Sequence, residues 1–452
     1  MGDPSDVFKA YDIRGTYPDQ IDAALCRAIG AAAATFSGAD RLLVVRDMRP
    51  SGVELARAFA EGARRVGTRV TDLGMASTDF LYYASGVLDA PGAMFTASHN
   101  PAQYNGIKLC GAGARPIGRD TGLKEIERLA VGFLKEPPPA GDEAPLDHAE
   151  LLEDYAAHVR SFVDTSVLRP LKVVADTANG MGGLVAPIVC KPLPFDLTVL
   201  FGELDGTFPN HPADPIQPEN QADLKRAVVD LGADVGLAFD GDAARACFAA
   251  ELRGPIPGSL TPALAPRSLL EQHPGATVLY NLICSKVVPE VIAEAGGTGV
   301  RTRVGHSFIK ATMAETKATF GGEHSGHYYF ADNYRADSGI IAAMVVLELM
   351  SKSAKPLSEL IAPLRRYADS GEINTEVHDP VAAVEAVAEH VAAQGTGIDR
   401  LDGLTVDHGD WWYNLRPSNT EPLLRLNVEA PDEAACARHV DEVLALVTRL
   451  TS

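Results

Sequence analysis

Short apolar runs alternate with alanine-rich amphipathic stretches along most of this chain, and polar turns separate them. A continuous apolar run of about four to eight residues is typical of a buried strand, and apolar positions spaced by three and four indicate a helix. The pattern therefore predicts repeated strand, turn and helix units. Such units favour mostly parallel sheets covered by helices.

Three of these units are clear in the sequence. RLLVVR (residues 41–46) predicts a strand before a helix over residues 54–66. LKVVA (residues 171–175) predicts a second strand, and TVLY (residues 277–280) predicts a third, followed by a helix over residues 287–294. Because the units recur at about the length of a domain, we expect three related α/β domains with mixed sheets.

The C-terminal part has a different pattern, with shorter apolar runs between two amphipathic stretches. We expect strands at residues 404–406 and 424–428 and helices at residues 381–393 and 432–450. This mixture predicts a smaller α+β domain.

Two proline-containing stretches, residues 136–146 and 254–266, are typical of domain boundaries. We therefore predict four domains, over residues 1–140, 150–252, 253–368 and 369–452.

Composition narrows the possible partners. The net charge of −20 argues against a general surface for nucleic acid or anionic membranes, although local Arg and Lys clusters leave a small phosphorylated substrate possible. The six cysteines show no C-x-x-C spacing, which predicts reduced thiols and a cytoplasmic protein. The chain has neither an apolar leader nor a run of about 18 apolar residues, so we expect no membrane segment.

The segment GAMFTASHNPAQYNGIK (residues 92–108) runs from apolar residues into a polar cluster that Pro101 interrupts. Ser98 is therefore expected in a loop beyond a strand end, where α/β sheets bind ligands. If the segment is extended, Ser98 and His99 point to opposite faces, which disfavours a serine hydrolase, as does the lack of a G-x-S-x-G motif. A serine that carries a phosphoryl group would instead need a cation opposite it.

Two further segments offer oxygen ligands and hydrogen-bonding groups. In GLAFDGDAAR, Asp240 and Asp242 alternate across a glycine at a predicted strand end, an arrangement that suits Mg²⁺, although DGD alone is also a common turn. In GGEHSGHYYF, alternation would place Glu323, Ser325 and His327 on one face, where they could bind sugar hydroxyls.

Arginine-containing segments complete the candidate chemistry. NLRPSNTEPLLR predicts a donor-rich turn for phosphate oxygens, although it lacks the P-loop pattern, so nucleotide hydrolysis is not implied. YDIRG and RDMRPS place arginines in apparent loops, and each is weak evidence alone.

The motifs YDIRG, RDMRPS, TASHNP, YNGIK, FDGD, VGHSFIK, GGEHSGH and RPSNTEP, in this order, resemble the α-D-phosphohexomutase superfamily, in particular its phosphomannomutase/phosphoglucomutase branch. The resemblance spans essentially the whole chain. It implies four domains around a central cleft. It also implies interconversion of hexose 6-phosphate and hexose 1-phosphate, with mannose as the main sugar and glucose as the second candidate, through a phosphoserine and a 1,6-bisphosphate that also serves as primer.

The resemblance also implies roles for individual residues. The expected catalytic residues are Ser98 as the phosphoserine, with Tyr11, Arg14, Lys108 and His306 near the reacting groups and Lys108 or His306 transferring protons. The expected Mg²⁺ ligands are Ser98, Asp240 and Asp242. The expected substrate-binding residues are Arg245, Gly305, Glu323, Ser325, His327, Arg416, Ser418, Asn419, Thr420 and Arg425.

The metal loop departs from the family pattern D-G-D-x-D-R, because Ala244 replaces the third carboxylate. Losing one charge and one ligand predicts weaker Mg²⁺ binding and slower phosphoryl transfer. Gly52 and Ile283 also differ from some relatives, which leaves details of sugar binding open.

Three functions stay open at this stage. The first is an active mutase, and the second is an impaired homologue that still binds phosphosugars. The third is a dinucleotide-binding oxidoreductase, prompted by Gly180-Met181-Gly182-Gly183, but the third fingerprint glycine would fall at Val185. The chain is expected to be a monomer or a homodimer, with a hinge near Gly371.

Overall fold

The structure is a computed structural model that describes residues 3–138, 143–251, 256–418 and 423–451, and it describes His306 and Ser307 by their backbone only. These residues form three mixed sheets and one antiparallel sheet, each packed with helices. The predicted fold class is confirmed: three related α/β domains precede a smaller α+β domain.

The first domain contains a sheet of order β1-β5-β4-β2-β3-β7, with β6 paired to β5. Its strands are β1 (Ile13–Thr16), β2 (Arg41–Arg46), β3 (Arg69–Met75), β4 (Gly92–Phe95), β5 (Tyr104–Gly111), β6 (Arg115–Pro116) and β7 (Leu146–His148). Its helices are α1 (Ala23–Ser37), α2 (Pro50–Arg65), α3 (Thr78–Leu88) and α4 (Leu123–Lys135). Helix α1 begins where Asp22 accepts a hydrogen bond from the backbone N–H of Leu25.

The second domain has the sheet order β11-β10-β8-β9. Its strands are β8 (Lys172–Asp176), β9 (Asp196–Leu200), β10 (Val235–Phe239) and β11 (Ala246–Ala250), and its helices are α5 (Leu152–Arg160), α6 (Gly182–Cys190) and α7 (Ala222–Asp230). All five residues of β10 are buried, which explains why this strand is a continuous apolar run.

The third domain has the sheet order β13-β12-β14-β15-β16. Its strands are β12 (Thr277–Asn281), β13 (Thr298–Thr302), β14 (Phe320–Gly322), β15 (Tyr328–Phe330) and β16 (Ala336–Asp337). Its helices are α8 (Leu260–Gln272), α9 (Val287–Glu294), α10 (His306–Thr316), α11 (Gly339–Ser353) and α12 (Leu357–Ile361). Helix α11 is buried over most of its length, and the Ser338 side chain caps its first turn.

The fourth domain has the sheet order β17-β22-β21-β20-β19, with β18 paired to β22, and every pairing is antiparallel. Its strands are β17 (Ala368–Asp369), β18 (Ile373–Glu376), β19 (Ile398–Asp399), β20 (Leu404–Asp407), β21 (Trp412–Pro417) and β22 (Leu423–Ala430), and its helices are α13 (Pro380–Ala393) and α14 (Glu433–Thr451).

The first three domains share one strand topology. The order is β3-β2-β4-β5 in the first, β9-β8-β10-β11 in the second and β13-β12-β14-β15 in the third. In each set the first three strands are parallel and the fourth is antiparallel. The repeated pattern in the sequence therefore corresponds to a repeated fold.

Three polar loops occupy the same place in this topology, between the third strand of each set and its antiparallel neighbour. We call residues 96–103, between β4 and β5, the serine loop. Residues 240–245, between β10 and β11, form the aspartate loop, and residues 323–327, between β14 and β15, form the glutamate loop. Each loop follows the carboxyl end of a buried parallel strand, and ligands bind at such ends in open α/β sheets.

Parts of the two predicted boundary segments belong to regular elements. Helix α8 begins at Leu260, so the second half of the segment 254–266 is helical and not a linker. Pro262 lies in the first turn of α8, where its missing N–H costs no hydrogen bond. Residues 139–142 of the other segment lie outside the described residues, and β7 at its end pairs with β3 in the first sheet.

The largest apolar cluster runs without interruption through the first three domains, and it includes Phe80, Val173, Phe248 and Ile340. The fourth domain has an apolar core of its own, around α13, α14 and its sheet. The described contacts between the third and fourth domains include ion pairs such as Lys286 with Asp407, at 2.8 Å. The first three domains therefore form one packed body, to which the fourth attaches partly through polar contacts.

Asp79 joins those three domains at one buried point. Its carboxylate accepts hydrogen bonds from Ser77 at 2.5 Å, from the Tyr155 hydroxyl at 2.6 Å and from Ser338 at 2.5 Å. Tyr155 lies on α5, and Ser338 caps α11. Burial raises the pKa of Asp79 to about 6, although the three donors oppose this shift.

This raised pKa predicts a pH-dependent stability. The folded protein holds the Asp79 proton more tightly than the unfolded chain, whose aspartates titrate near pH 4. The stabilising contribution of protonated Asp79 is present below about pH 4 and is lost as the pH rises through about 6, by at most about 3 kcal/mol. Melting curves from pH 4 to 7 should therefore show the wild type losing stability relative to Asp79→Asn. The exposed control Asp120→Asn should track the wild type, and parallel curves for Asp79→Asn would contradict the expectation.

Candidate active site

Ser98 lies three residues beyond the end of β4, as the sequence predicts, and it is buried. Its backbone has φ of 51°, which is left-handed, so the segment is not extended at this point. The expectation that Ser98 and His99 point apart is therefore wrong: Ser98 Oγ lies 3.4 Å from His99 Nδ1. The main partner of the hydroxyl is Asp240, to which Ser98 Oγ donates at 2.7 Å.

Arg49 holds the serine loop in shape, a role that its sequence motif alone does not predict. Its guanidinium is completely buried, lies 3.3 Å from Asp47 and lies over the ring of Phe208. It donates to four backbone carbonyls at 2.6 to 3.0 Å: those of Ser98, Asn100, Pro101 and Tyr104. The available signal was the D-x-R spacing at the end of β2, which also occurs in ordinary turns.

Glycines allow the aspartate loop to approach the serine loop. A Cβ at Gly241 would lie 2.5 Å from the carbonyl oxygen of Ser98, which is closer than such atoms approach. A Cβ at Gly180 would lie 2.7 Å from the carbonyl oxygen of Gly241. The glycine of the dinucleotide-like segment therefore has a packing role beside the aspartate loop.

Asp242 forms the second half of this contact. Lys108 on β5 donates to its Oδ2 at 2.7 Å, and the Thr78 hydroxyl donates to the same oxygen at 2.6 Å. Burial alone would raise the pKa of Asp242, but the Lys108 ammonium and these hydrogen bonds hold it well below its usual range. Burial would also lower the pKa of Lys108, yet the Asp242 carboxylate raises it.

Asp240 has the opposite electrostatic environment. Burial and the neighbouring Asp242 carboxylate raise the pKa of Asp240, although Arg245 and Ser98 oppose that shift. The backbone N–H of Arg245 donates to Asp240 Oδ1 at 3.0 Å. The two carboxylates therefore differ in proton affinity: Asp242 is held ionised, and the pKa of Asp240 is raised.

The buried oxygens of Ser98, Asp240 and Asp242 have the donor chemistry that suits a hard divalent cation, and Ser98 contacts Asp240 directly. Ala244 is completely buried, so the missing third carboxylate is replaced by a methyl group inside the loop. Among the described residues, no group of three or more His, Cys, Asp or Glu side chains could hold a metal ion. These residues fit Mg²⁺ with two carboxylates only.

The glutamate loop forms a tight turn rather than an extended strand. The backbone N–H of Gly326, at φ of 84°, donates to the carbonyl of Glu323, whose own N–H donates to the carbonyl of His327. The predicted strand-like alternation of Glu323, Ser325 and His327 is therefore wrong. The turn nevertheless brings Glu323 and His327 together. Glu323 is buried and accepts from Tyr329 at 2.5 Å, and burial raises the pKa of Glu323.

Arg245 joins the aspartate and glutamate loops. Its backbone forms an isolated antiparallel bridge with His327, and Arg245 Nε donates to His327 Nε2 at 3.3 Å. His327 Nδ1 lies 3.1 Å from the hydroxyl of Ser325. The second and third domains thus present these predicted residues side by side.

Lys310, inside the motif VGHSFIK, is a buried cation that the predicted site did not include. Its ammonium lies 2.9 Å from Asp337 and 3.8 Å from the centre of the Tyr82 ring. Tyr82 lies on α3, so Lys310 links the third domain to the first. The sequence around Lys310 does not predict this contact, because the Tyr82 ring comes from another domain.

Arg14 lies within strand β1 and not in a loop as expected. It donates to Asn100 in the serine loop at 2.6 Å and forms an ion pair with Asp12. Tyr11 lies beside Gly305, since a Cβ at Gly305 would be 3.5 Å from the Tyr11 ring. His306 begins helix α10, and its side chain lies outside the described structure.

In the fourth domain, Arg416 on β21 lies directly opposite Arg425 on β22. Glu372 contacts both guanidinium groups. Ser418 follows β21, and its N–H donates to the carbonyl of Leu423 at 2.8 Å. The expected turn residues Asn419 and Thr420 lie outside the described residues.

The arginine pair is within electrostatic range of the other domains. Burial and nearby carboxylates raise the pKa of Tyr11, while Arg416 contributes in the opposite direction. Burial lowers the pKa of His324, and Arg416 adds to that effect. Arg416 therefore lies near enough to Tyr11 of the first domain and His324 of the third to affect the pKa of both.

Comparison with known proteins follows the same four-domain division. Four family models match, described as phosphoglucomutase/phosphomannomutase alpha/beta/alpha domains I, II and III and C-terminal domain, over residues 5–131, 153–254, 258–367 and 372–446. None of the helices within the described residues is long and apolar enough to cross a membrane.

Relatives match over nearly their full length. A protein described as phosphohexose mutases from Xanthomonas campestris pv. campestris is 39% identical over 432 residues, covering 95% of this chain and 96% of the relative. The phosphomannomutase of Escherichia coli strain K12 is 38% identical over 431 residues, covering 94% of each chain. A crystal structure of a phosphoglucomutase/phosphomannomutase family protein from Burkholderia thailandensis has a TM-score of 0.90 at 31% identity, covering 100% and 98%.

The fold, the facing serine and aspartate loops and these matches define a hexose phosphate mutase, which is an intramolecular phosphotransferase. The chain belongs to the phosphoglucomutase/phosphomannomutase family.

The close approach at Gly241 predicts the effect of one methyl group. In Gly241→Ala the new Cβ must move the serine loop away from Asp240. We expect at least about a tenfold loss of mutase activity, since about 1.4 kcal/mol of transition-state stabilisation is tenfold in rate. The control Gly132→Ala adds a methyl group on helix α4, where no atom lies within 4 Å, and should keep full activity. Equal activity of the two variants would contradict this expectation.

Proposed function

We propose that this enzyme interconverts hexose 6-phosphate and hexose 1-phosphate through a phosphoserine at Ser98, with mannose as the main sugar and glucose as the second candidate. The contact that carries the proposal is the 2.7 Å hydrogen bond from Ser98 Oγ to Asp240, beside the ion pair of Lys108 with Asp242. A buried hydroxyl between carboxylates suits a phosphorylated side chain when cations surround it. Lys108, Arg14 and Arg245 supply those cations.

The proposed reaction has two phosphoryl transfers. In the first, the free hydroxyl of the sugar attacks the phosphorus on Ser98, the bond from phosphorus to Oγ breaks, and a hexose 1,6-bisphosphate forms. The bisphosphate then turns over, and its other phosphoryl group passes to Ser98, which releases the product. Each transfer moves a proton from the attacking hydroxyl, while the departing oxygen gains one, so the enzyme returns to its starting state.

The contacts of Lys108 suit a role in charge stabilisation better than one in proton transfer. Its ammonium donates to Asp242, and that carboxylate raises the pKa of Lys108 despite burial. The proposed role of Lys108 is therefore to hold Asp242 and balance the charge of the phosphoryl group. Proton transfer then stays with the other candidate, His306.

Ser98, Asp240 and Asp242 are proposed to hold Mg²⁺, which would offset charge on the transferring group and draw electron density from the bridging oxygen. Their own part is to orient the phosphate on Ser98 toward the cleft. Asp242 can do so because Lys108 and Thr78 keep it ionised and in place.

The sugar is proposed to lie between the glutamate loop and the arginine pair. Glu323, Ser325 and His327 offer acceptors and donors for ring hydroxyls, with Gly305 lining the opposite side. The non-reacting phosphate is proposed to bind Arg416, Arg425, Ser418, Asn419 and Thr420. A phosphate clamp in a different domain from Ser98 would let one site process both ends of the sugar.

A coupled assay tests the reaction directly. With mannose 1-phosphate or glucose 1-phosphate and a trace of the 1,6-bisphosphate, we expect hexose 6-phosphate to form. Intact mass should show one phosphoryl group, which Ser98→Ala should lose together with activity. Ser51→Ala, which changes another serine near this loop, should keep the phosphoryl group. A phosphoryl group retained in Ser98→Ala would refute the assignment.

Ala244 generates a second expectation. Restoring a carboxylate in Ala244→Asp adds a charge and a ligand to the aspartate loop, so Mg²⁺ should bind more tightly. We expect half-maximal activity at about tenfold lower Mg²⁺, a change worth about 1.4 kcal/mol. Calorimetric titration with Mg²⁺ should show the same shift without substrate. Identical titrations for both proteins would show that the third carboxylate is irrelevant.

Ala244 also supports one alternative, a homologue that binds phosphosugars but transfers phosphoryl groups poorly. The two functions differ in one observable, the appearance of bisphosphate during turnover. Binding of mannose 1-phosphate without any bisphosphate or phosphorylated Ser98 would favour the alternative.

A further inference from the structure

The arginine pair of the fourth domain contains a carboxylate from its own chain. Glu372 Oε2 accepts from Arg416 Nη2 at 2.5 Å, and Glu372 Oε1 lies 3.3 Å from Arg425 Nη1. One carboxylate oxygen thus serves each guanidinium. The carboxylate of Glu372 bridges the two arginines.

This bridge has a clear electrostatic reason. Arg416 and Arg425 face each other across an antiparallel strand pair, and like charges in that position repel. With Glu372 in place, the three side chains carry one net positive charge instead of two. Carboxylates and phosphates both accept hydrogen bonds from guanidinium forks through paired oxygens. The position of Glu372 is therefore one that a phosphate group could take.

The exposed fractions of the three side chains indicate which of them an incoming anion meets first. The Arg416 side chain is 6% exposed, whereas those of Glu372 and Arg425 are 29% and 26% exposed. Arg416 Nε is also buried and has no hydrogen-bond partner among the described residues. An anion from solution therefore meets Glu372 before it can reach the remaining donors of Arg416.

The Glu372 side chain is partly exposed, so it can turn toward solvent by rotation about its own side-chain bonds. The backbone of Gly371, at φ of 63°, is held by hydrogen bonds from its N–H to Asp369 and from Asn427 to its carbonyl, so this rotation needs no backbone shift. Glu372 lies between β17 and β18, which both pair with β22 in the sheet of the fourth domain. Its carboxylate can therefore leave the arginine pair without repacking an apolar core.

We propose that Glu372 is an internal competitor for phosphate: its carboxylate occupies the arginine pair in the free enzyme and is displaced when a phosphate group binds. This inference rests on the proposed function, in which Arg416 and Arg425 hold the non-reacting phosphate. Competition weakens the clamp, and a weaker clamp lets the bisphosphate detach and turn over between the two transfers. Glu372 is thus a positioning residue that sets the strength of phosphate binding.

Titration calorimetry with inorganic phosphate at fixed ionic strength tests the competition. Glu372→Gln removes the competing charge but keeps the shape of the side chain, so phosphate should bind about tenfold more tightly, a coupling of ordinary size. The matched control is Glu376→Gln, which removes the same charge from the exposed end of β18 and should change affinity by less than about twofold. Glu372→Asp is shorter and cannot bridge both arginines as well, so it should show a smaller gain.

Steady-state kinetics separate competition from a structural role. With mannose 1-phosphate, Glu372→Gln should lower both KM and kcat, because the sugar is held more tightly and the bisphosphate is released more slowly. If Glu372 only kept the arginines in place, its loss would raise KM. The gain in phosphate affinity should also disappear when Glu372→Gln is combined with Arg425→Gln.

The outcomes distinguish this inference from the function beneath it. Unchanged or weaker phosphate binding in folded Glu372→Gln, or wild-type affinity in Glu372→Asp if the first variant fails to fold, overturns the inference alone, provided that Arg416→Ala impairs binding. Arg416→Ala with wild-type phosphate binding and activity overturns the proposed clamp and the inference together.

Discussion

A serine hydroxyl held against a buried aspartate of another domain is the contact on which the rest of the site depends. Ser98 reaches Asp240 only because no side chain at Gly241 separates the two loops. Arg49 makes the serine loop rigid from below, through backbone carbonyls rather than side chains. Lys108 holds Asp242 ionised, whereas burial and Asp242 raise the pKa of Asp240. The charge of the site therefore depends on side chains from the first and second domains.

Local sequence patterns predicted the helices and strands well. They also predicted where the polar loops lie along the chain, but not the side-chain directions within those loops. The strand over residues 41–46 and the helix over residues 287–294 have the expected bounds, because burial and periodicity are local properties. Because the chain makes a left-handed turn at Ser98 and a tight turn at Gly326, side chains there do not alternate as they would in an extended strand. Arg49 and Lys310 were missed because their partners come from distant segments.

The two kinds of domain boundary have different physical consequences. An uninterrupted apolar core and the buried Asp79 carboxylate bind the first three domains, and separating them would expose both. The fourth domain has its own core and meets the third partly through ion pairs and hydrogen bonds, such as that from the Val304 N–H to Asp402. Such contacts can exchange with water at low cost, so motion is expected at this boundary and not at the others.

The repeated strand order has a consequence for how this enzyme could have arisen. Three copies of one scaffold place three hairpins at equivalent ends of their sheets, and each hairpin has a different set of polar residues. A gene that duplicated twice would have supplied these positions at once, before any loop was specialised. Changes in a few hairpin residues could then alter the chemistry while the sheets kept their registers.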